Sequence, residues 1–324
     1  MRNRQTQEFL SPPVEEQGGG SPGIGPSPDP VRPLWRVEDA APGATLPREG
    51  SDQFLQGFRL PFQLAKALLD NPDTRSRYLT VACTQVAFIL ALAVLFMDPG
   101  RELMKHVGPD DGFGQRWLLY GAAFLSSLYG AQWLVIALSR DYHTALSREA
   151  SLLAGVPPED EPLTPHVRLN VSWLFKKLKR RWRALVVFTL GMPVLWMAWL
   201  LPGGELFFPL LVSAWGAWWF VVFTAGKSAR AWKASAPGEP WFLRGWKGLT
   251  SRVAPISLFT SVWTTFSRSV FSPAASVERR PWSFSGLAVA RALAALPLVK
   301  CFLRPLIPVA ASRLLLEAEP GEER

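Results

Sequence analysis

Three cationic side chains, Arg291, Lys300 and Arg304, stand inside the otherwise apolar segment 286–316. A charge at the middle of a bilayer costs about 2.5–3.5 kcal/mol even on the lenient insertion scale. Residues of this kind either snorkel to the headgroups or line a path for ions. Lys300 and Arg304 are four apart and share one helix face if Pro305 does not disrupt it. The chemistry open to such a group is non-covalent: cations and helix N-termini offset the desolvation of a small anion. Gly286, Pro297, Pro305 and Pro308 punctuate the same segment and are its candidate backbone breaks. A single straight, lipid-facing helix is therefore not expected there. Two half-depth helices meeting near a proline fit better, because irregular backbone at membrane depth must be covered by protein or line a wet cavity.

Other candidate chemistry is sparse. Ala225-Gly226-Lys227-Ser228 has the ending of a phosphate-binding loop, but the position that needs the first glycine is Val221. His106, His143 and His166 are scattered without ligand spacing and read as surface histidines, so no metal is expected. Cys83 and Cys301 read as buried, inert thiols. Asn170-Val171-Ser172 matches a glycosylation sequon in a segment expected to be cytosolic. No nucleophile–base set falls in a recognisable motif and no paired carboxylates lie inside a span, so neither an enzyme nor a cofactor is implied. The run Lys176, Lys177, Lys179, Arg180, Arg181 and Arg183 borders an apolar stretch and reads as a topology and lipid anchor, or as a contact for an anionic substrate or lipid.

The elements that must position these residues are helices in a membrane. Charged residues are 19% of the chain, below the roughly 25% of soluble proteins. The net charge of +9 flanks apolar segments and forms no separate basic domain, which argues against nucleic-acid binding. There are 15 Trp, a residue that favours membrane interfaces. Four stretches, 79–97, 117–138, 184–202 and 206–226, predict transmembrane helices, since about 20 apolar residues cross a core of roughly 30 Å. Residues 52–70 predict an interfacial amphipathic helix with Pro61 as a break, and Asn71-Pro72-Asp73 predicts a turn. Residues 254–272 are apolar but hold Arg268 and are rich in Ser and Thr, so the pattern leaves open whether they span.

Residues 1–50, dense in Pro, Gly and Ser, are expected to be a disordered tail, and 318–324 a short polar one. The domain between them, 51–317, is an all-α integral membrane domain with four transmembrane helices and proline-broken, partly penetrating C-terminal helices. No cleavable signal peptide is legible at the N-terminus. Lys and Arg crowd the approach to the first span, the 139–183 loop and the end of the fourth span. That places both termini in the cytosol.

The order of these pieces resembles the CysZ-like sulfate permeases and the related etoposide-induced-protein-like membrane family. The resemblance starts at Gly57-Phe58-Arg59-Leu60-Pro61 and runs through the Leu201-Pro202-Gly203-Gly204 hairpin. It is closest at Gly286-Leu287-Ala288, Leu296-Pro297-Leu298-Val299-Lys300 and Pro305-Leu306-Ile307-Pro308-Val309-Ala310-Ala311. It implies a helical inner-membrane permease for sulfate that assembles as a homo-oligomer. The chain departs from the family pattern at Lys300, where members often carry a small polar residue, and in its Pro-rich tail. The expectation is therefore a permease for a small anion such as sulfate, with Arg291, Lys300 and Arg304 along the path. The alternative is a non-transporting scaffold or envelope-assembly protein acting through its tail and its 139–183 loop. Membrane lipids are partners under either reading.

Overall fold

A computed structural model describes residues 49–96, 113–167, 171–200, 202–233, 238–250 and 254–318. These residues all belong to one compact unit, and their regular structure is entirely helical. The tail 1–48, the residues 319–324 and His106 lie outside the described residues.

The first helix, α1 (Gly50–Asp70), runs straight through Pro61, which was expected to break it. A proline inside a helix forfeits the bond to the carbonyl four residues back and crowds that residue. Here that residue is Gly57, the smallest available, and both Gly57 and Pro61 are buried. Asn71 then ends α1 and starts α2 (Pro72–Leu95), accepting a hydrogen bond from the Asp73 N–H at 3.0 Å with Pro72 in the first turn.

Among the described residues three helices are long and apolar enough to cross a membrane: α2, the Trp117–Leu138 part of α3 (Phe113–Leu138), and α6 (Gly204–Ala225). At 1.5 Å per residue the 24 residues of α2 reach about 36 Å, longer than the hydrocarbon core. The expected span at 184–202 is built differently. Helix α5 (Val171–Trp196) carries the basic run in its first half, and its backbone tightens to a 3₁₀ turn at Met197–Leu200. The apolar stretch left, Ala184–Leu200, is shorter than the three candidate spans. The hairpin to α6 forms as expected. Gly203 adopts a left-handed φ of 79°, and a Cβ on Gly204 would stand 2.5 Å from the Trp199 carbonyl oxygen.

Helix α4 (Arg140–Leu153) follows α3 almost without interruption. Helices α7 (Trp241–Thr250), α8 (Ala254–Ser267) and α9 (Phe271–Arg279) fill the chain after α6. The segment 254–272 is thus a 14-residue helix, a 3₁₀ turn and the start of α9, which is too short to span. Trp215 and Trp219 of α6, Phe242 of α7 and Trp263 of α8 are buried against one another, with Trp215 and Phe242 edge to face at 5.1 Å. Tryptophans expected at the interface therefore form part of the core, where their large rings bury more apolar area than any other side chain.

The expected broken segment is three helices: α10 (Pro281–Leu293), α11 (Val299–Leu303) and α12 (Leu306–Leu316). Helix α10 packs along α1, and α12 packs on both α1 and α4.

Candidate anion site

The backbone breaks fall where two of the four expected residues stand. Pro297 lies in the turn between α10 and α11, and Pro305 joins α11 to α12. After Pro297 the chain makes a γ-turn: Leu298 has φ 68° and ψ −47°, and the Val299 N–H donates to the Pro297 carbonyl at 2.8 Å. This is a strained conformation for a residue with a side chain. Pro308 sits in the first turn of α12, where its missing N–H costs nothing. Gly286 is not at a break. It lies inside the continuous α10, and it is there for packing: a Cβ on Gly286 would stand 1.9 Å from the Phe54 carbonyl oxygen of α1. The contact is reciprocal, because a Cβ on Gly57 would stand 1.9 Å from the Ser283 carbonyl oxygen.

The three cations are not gathered at one point. Arg291 reaches across to the last turn of α6. Its Nη1 donates to Thr224 Oγ1 at 2.8 Å and to the Phe220 carbonyl at 3.4 Å, and its guanidinium lies 4.6 Å from the centre of the Phe220 ring. A cation is well placed at a helix C-terminus and over an aromatic face. Lys300 and Arg304 do keep a helical relation, since the Arg304 N–H donates to the Lys300 carbonyl at 3.1 Å. Arg304 turns toward α4, where Arg140 and His143 are its electrostatic neighbours. Its Nη1 is buried with no hydrogen-bond partner among the described residues.

His143 is a correction to the sequence reading, which placed it on the surface. It is 6% exposed, and neither ring nitrogen has a partner among the described residues. Burial, reinforced by the positive charge of Arg304, holds its pKa down to about 3. The imidazole is therefore neutral at physiological pH. His166 is exposed as expected. Cys301 is buried, but Cys83 is exposed because it lies off the buried stripe of α2, which runs through Tyr78, Ala82, Gln85, Ile89 and Ala93.

Two residues inside candidate spans are also polar, buried and unpartnered among the described residues. Gln85 of α2 and Gln132 of α3 are 4% and 0% exposed, and neither side-chain amide has a partner among the described residues. Both lie on faces that meet around Cys301 of α11: Ile89 and Ala93 from α2, and Leu128, Ala131 and Val135 from α3, pack there together. Tyr78 pins α11 further, its hydroxyl donating to the Phe302 carbonyl at 3.1 Å. A glutamine in an apolar run is visible in the sequence, but its lack of a partner is not.

The basic run, read as the end of the 139–183 loop, lies on the first half of α5, because the helix starts at Val171 and not at the apolar stretch. Lys179 is exposed, and the side chains of Lys176, Lys177, Arg180, Arg181 and Arg183 lie outside the described residues.

No protein-family model matches the chain, and neither the curated proteins nor the solved structures contain a match to it.

Proposed function

We propose that the chain is a multi-pass membrane protein that provides a path for a small anion such as sulfate, in the manner of the CysZ-like permeases its sequence resembles. The observation that carries this reading is Arg304, whose Nη1 is buried beside the neutral His143 without a hydrogen-bond partner among the described residues. A charge in such surroundings is costly unless something compensates it, and a passing anion is a suitable partner. Gln85 and Gln132 add amide donors that could exchange for the anion's hydration shell. Three spans come from α2, α3 and α6, and the apolar half of α5 supplies a fourth, shallower crossing. The distribution of Lys and Arg supports cytosolic termini and an inner-membrane location.

The test is radiolabelled sulfate uptake into proteoliposomes carrying the purified chain. Arg304→Gln is expected to lower flux about tenfold, roughly the effect of one buried charge-assisted hydrogen bond. Arg291→Gln is expected to have a smaller effect on flux, because its guanidinium is already bound by Thr224 and Phe220. Unchanged flux after neutralising Arg291, Lys300 and Arg304 together would remove the proposal.

A further inference from the structure

The turn that follows α6 holds a carboxylate. Ser228 Oγ donates to Glu159 Oε1 at 2.5 Å, and the Ala229 N–H donates to Glu159 Oε2 at 2.6 Å. The Arg230 N–H donates to Ser228 Oγ at 3.1 Å, which occupies the acceptor side of the hydroxyl and leaves its proton for the carboxylate. Ser228 is fully buried. Arg230 Nη2 also donates to the Pro157 carbonyl at 3.3 Å.

One donor of this cradle is left short. Arg230 Nε stands 3.9 Å from Glu159 Oε1, within ion-pair range but beyond hydrogen-bond reach, and is buried without a hydrogen-bond partner among the described residues. A carboxylate is planar and has two oxygens, and both are already engaged. A tetrahedral oxyanion offers further oxygens, one of which can face Nε while others keep the Ser228 and Ala229 contacts.

We infer that the Ser228–Ala229–Arg230 turn is a binding site for a tetrahedral oxyanion, and that Glu159 fills it in this structure, so that the anion and Glu159 compete. The ligand is inorganic sulfate or phosphate, or the phosphate of a lipid headgroup. Glu159 belongs to the non-helical segment that follows α4, and this segment closes a small cleft between α4 and α12 lined by Ser147, Ser151, Asp160, Pro308 and Ser312. Asp160 is held there at a cost: burial, and then the charge of Glu159, push its carboxyl above the ordinary range. Arg148 Nη1 donating to the Asp160 carbonyl at 2.9 Å and Arg230 Nη2 donating to the Pro157 carbonyl are further ties. Displacing Glu159 removes the main clasp on the segment and uncovers the cleft, including Ser312 Oγ, which is buried and unpartnered among the described residues. None of this depends on transport, so a chain that moves no sulfate could still have the site.

The experiment is hydrogen–deuterium exchange on the full chain in maltoside micelles free of phospholipid, following residues 155–167. Sodium sulfate and sodium phosphate are compared with sodium chloride at equal ionic strength. Sulfate or phosphate at tens of millimolar is expected to raise exchange of the segment about threefold, with chloride inert. Glu159→Gln should exchange fast without any anion, and should bind sulfate about tenfold more tightly by calorimetry because its competitor is weakened. The double variant Ser228→Ala, Arg230→Gln should lose that binding. If only micelles doped with phosphatidylglycerol release the segment, the oxyanion is a headgroup phosphate. If neither free anions nor anionic lipid release it in the native chain, and Glu159→Gln binds no more than the double variant, the turn is a structural latch and the inference fails.

Discussion

Replacing Gly286 by alanine is expected to destabilise the chain by about 3 kcal/mol or more, at the upper end for overpacking a core. The reason is the nature of the obstacle. The new Cβ would meet the Phe54 carbonyl oxygen at 1.9 Å and the Phe58 nitrogen at 2.8 Å, both of them backbone atoms of α1. A side chain in that position could rotate away, but a helix backbone cannot, so α1 and α10 must move apart and give up the contacts along their whole crossing. Gly57→Ala is expected to do the same from the other side, through the Ser283 carbonyl. Thermal unfolding in detergent should show a midpoint lower by about 10 °C for either variant. The double variant carries the sharper forecast. Once one methyl has separated the helices, the second finds room, so the two losses should fall well short of additive. Additive losses, or a single variant that melts like the parent, would mean that the helices do not cross at these glycines.

That crossing also shows what the sequence could and could not disclose. Gly57 and Gly286 stand more than two hundred residues apart, in Gly57-Phe58-Arg59-Leu60-Pro61 and Gly286-Leu287-Ala288, and in the fold they are pressed against each other's helices. Composition and run length were enough to find α2, α3 and α6, because a long apolar stretch has few alternatives to a helix. They were not enough for α5, where the end of an apolar run marks neither the start of the helix nor its 3₁₀ tightening. Pro61 was misread as a break because the rule for proline is local, and the glycine four residues earlier and the packing on α10 outweigh it. At Pro297 and Pro305 the helices do end, and the residues four positions earlier are Leu293 and Cys301, not glycine.

The site was legible only in its charges. Arg291, Lys300 and Arg304 are conspicuous in an apolar segment, but their partners lie far away in sequence: Phe220 and Thr224 for Arg291, the neighbourhood of Arg140 and His143 for Arg304. Gln85, Gln132 and His143 matter through burial without partners, which depends on what other helices bring to them. Glu159 is hidden more thoroughly still. In the sequence it is one acidic residue in a proline-rich turn, while Ser228 belongs to a motif that fails as a phosphate-binding loop. In the fold the Glu159 carboxylate accepts both from the Ala229 N–H and from the buried Ser228 hydroxyl.

Acid is expected to loosen the α4–α12 contact through His143. In the folded chain its pKa is about 3, because burial and then Arg304 oppose the charged form. In the unfolded chain it returns to about 6.5. Below that value the unfolded state binds a proton that the folded state refuses, so stability rises with pH across the window and is lost as pH falls from about 6.5 toward about 3. Each pH unit inside the window costs about 1.4 kcal/mol, so the loss at pH 5 is about 2 kcal/mol. Asp160 acts in the opposite sense. Its raised pKa lets the folded state take up a proton first, so acidification stabilises through that group. The two are separated by comparing the parent with His143→Leu and His143→Gln, both of which leave Asp160 in place. Melting midpoints at pH 7.5 and pH 5 should fall apart for the parent and draw together for both variants. A parent whose midpoint moves no more than theirs would show that His143 is already open to protons in the folded chain.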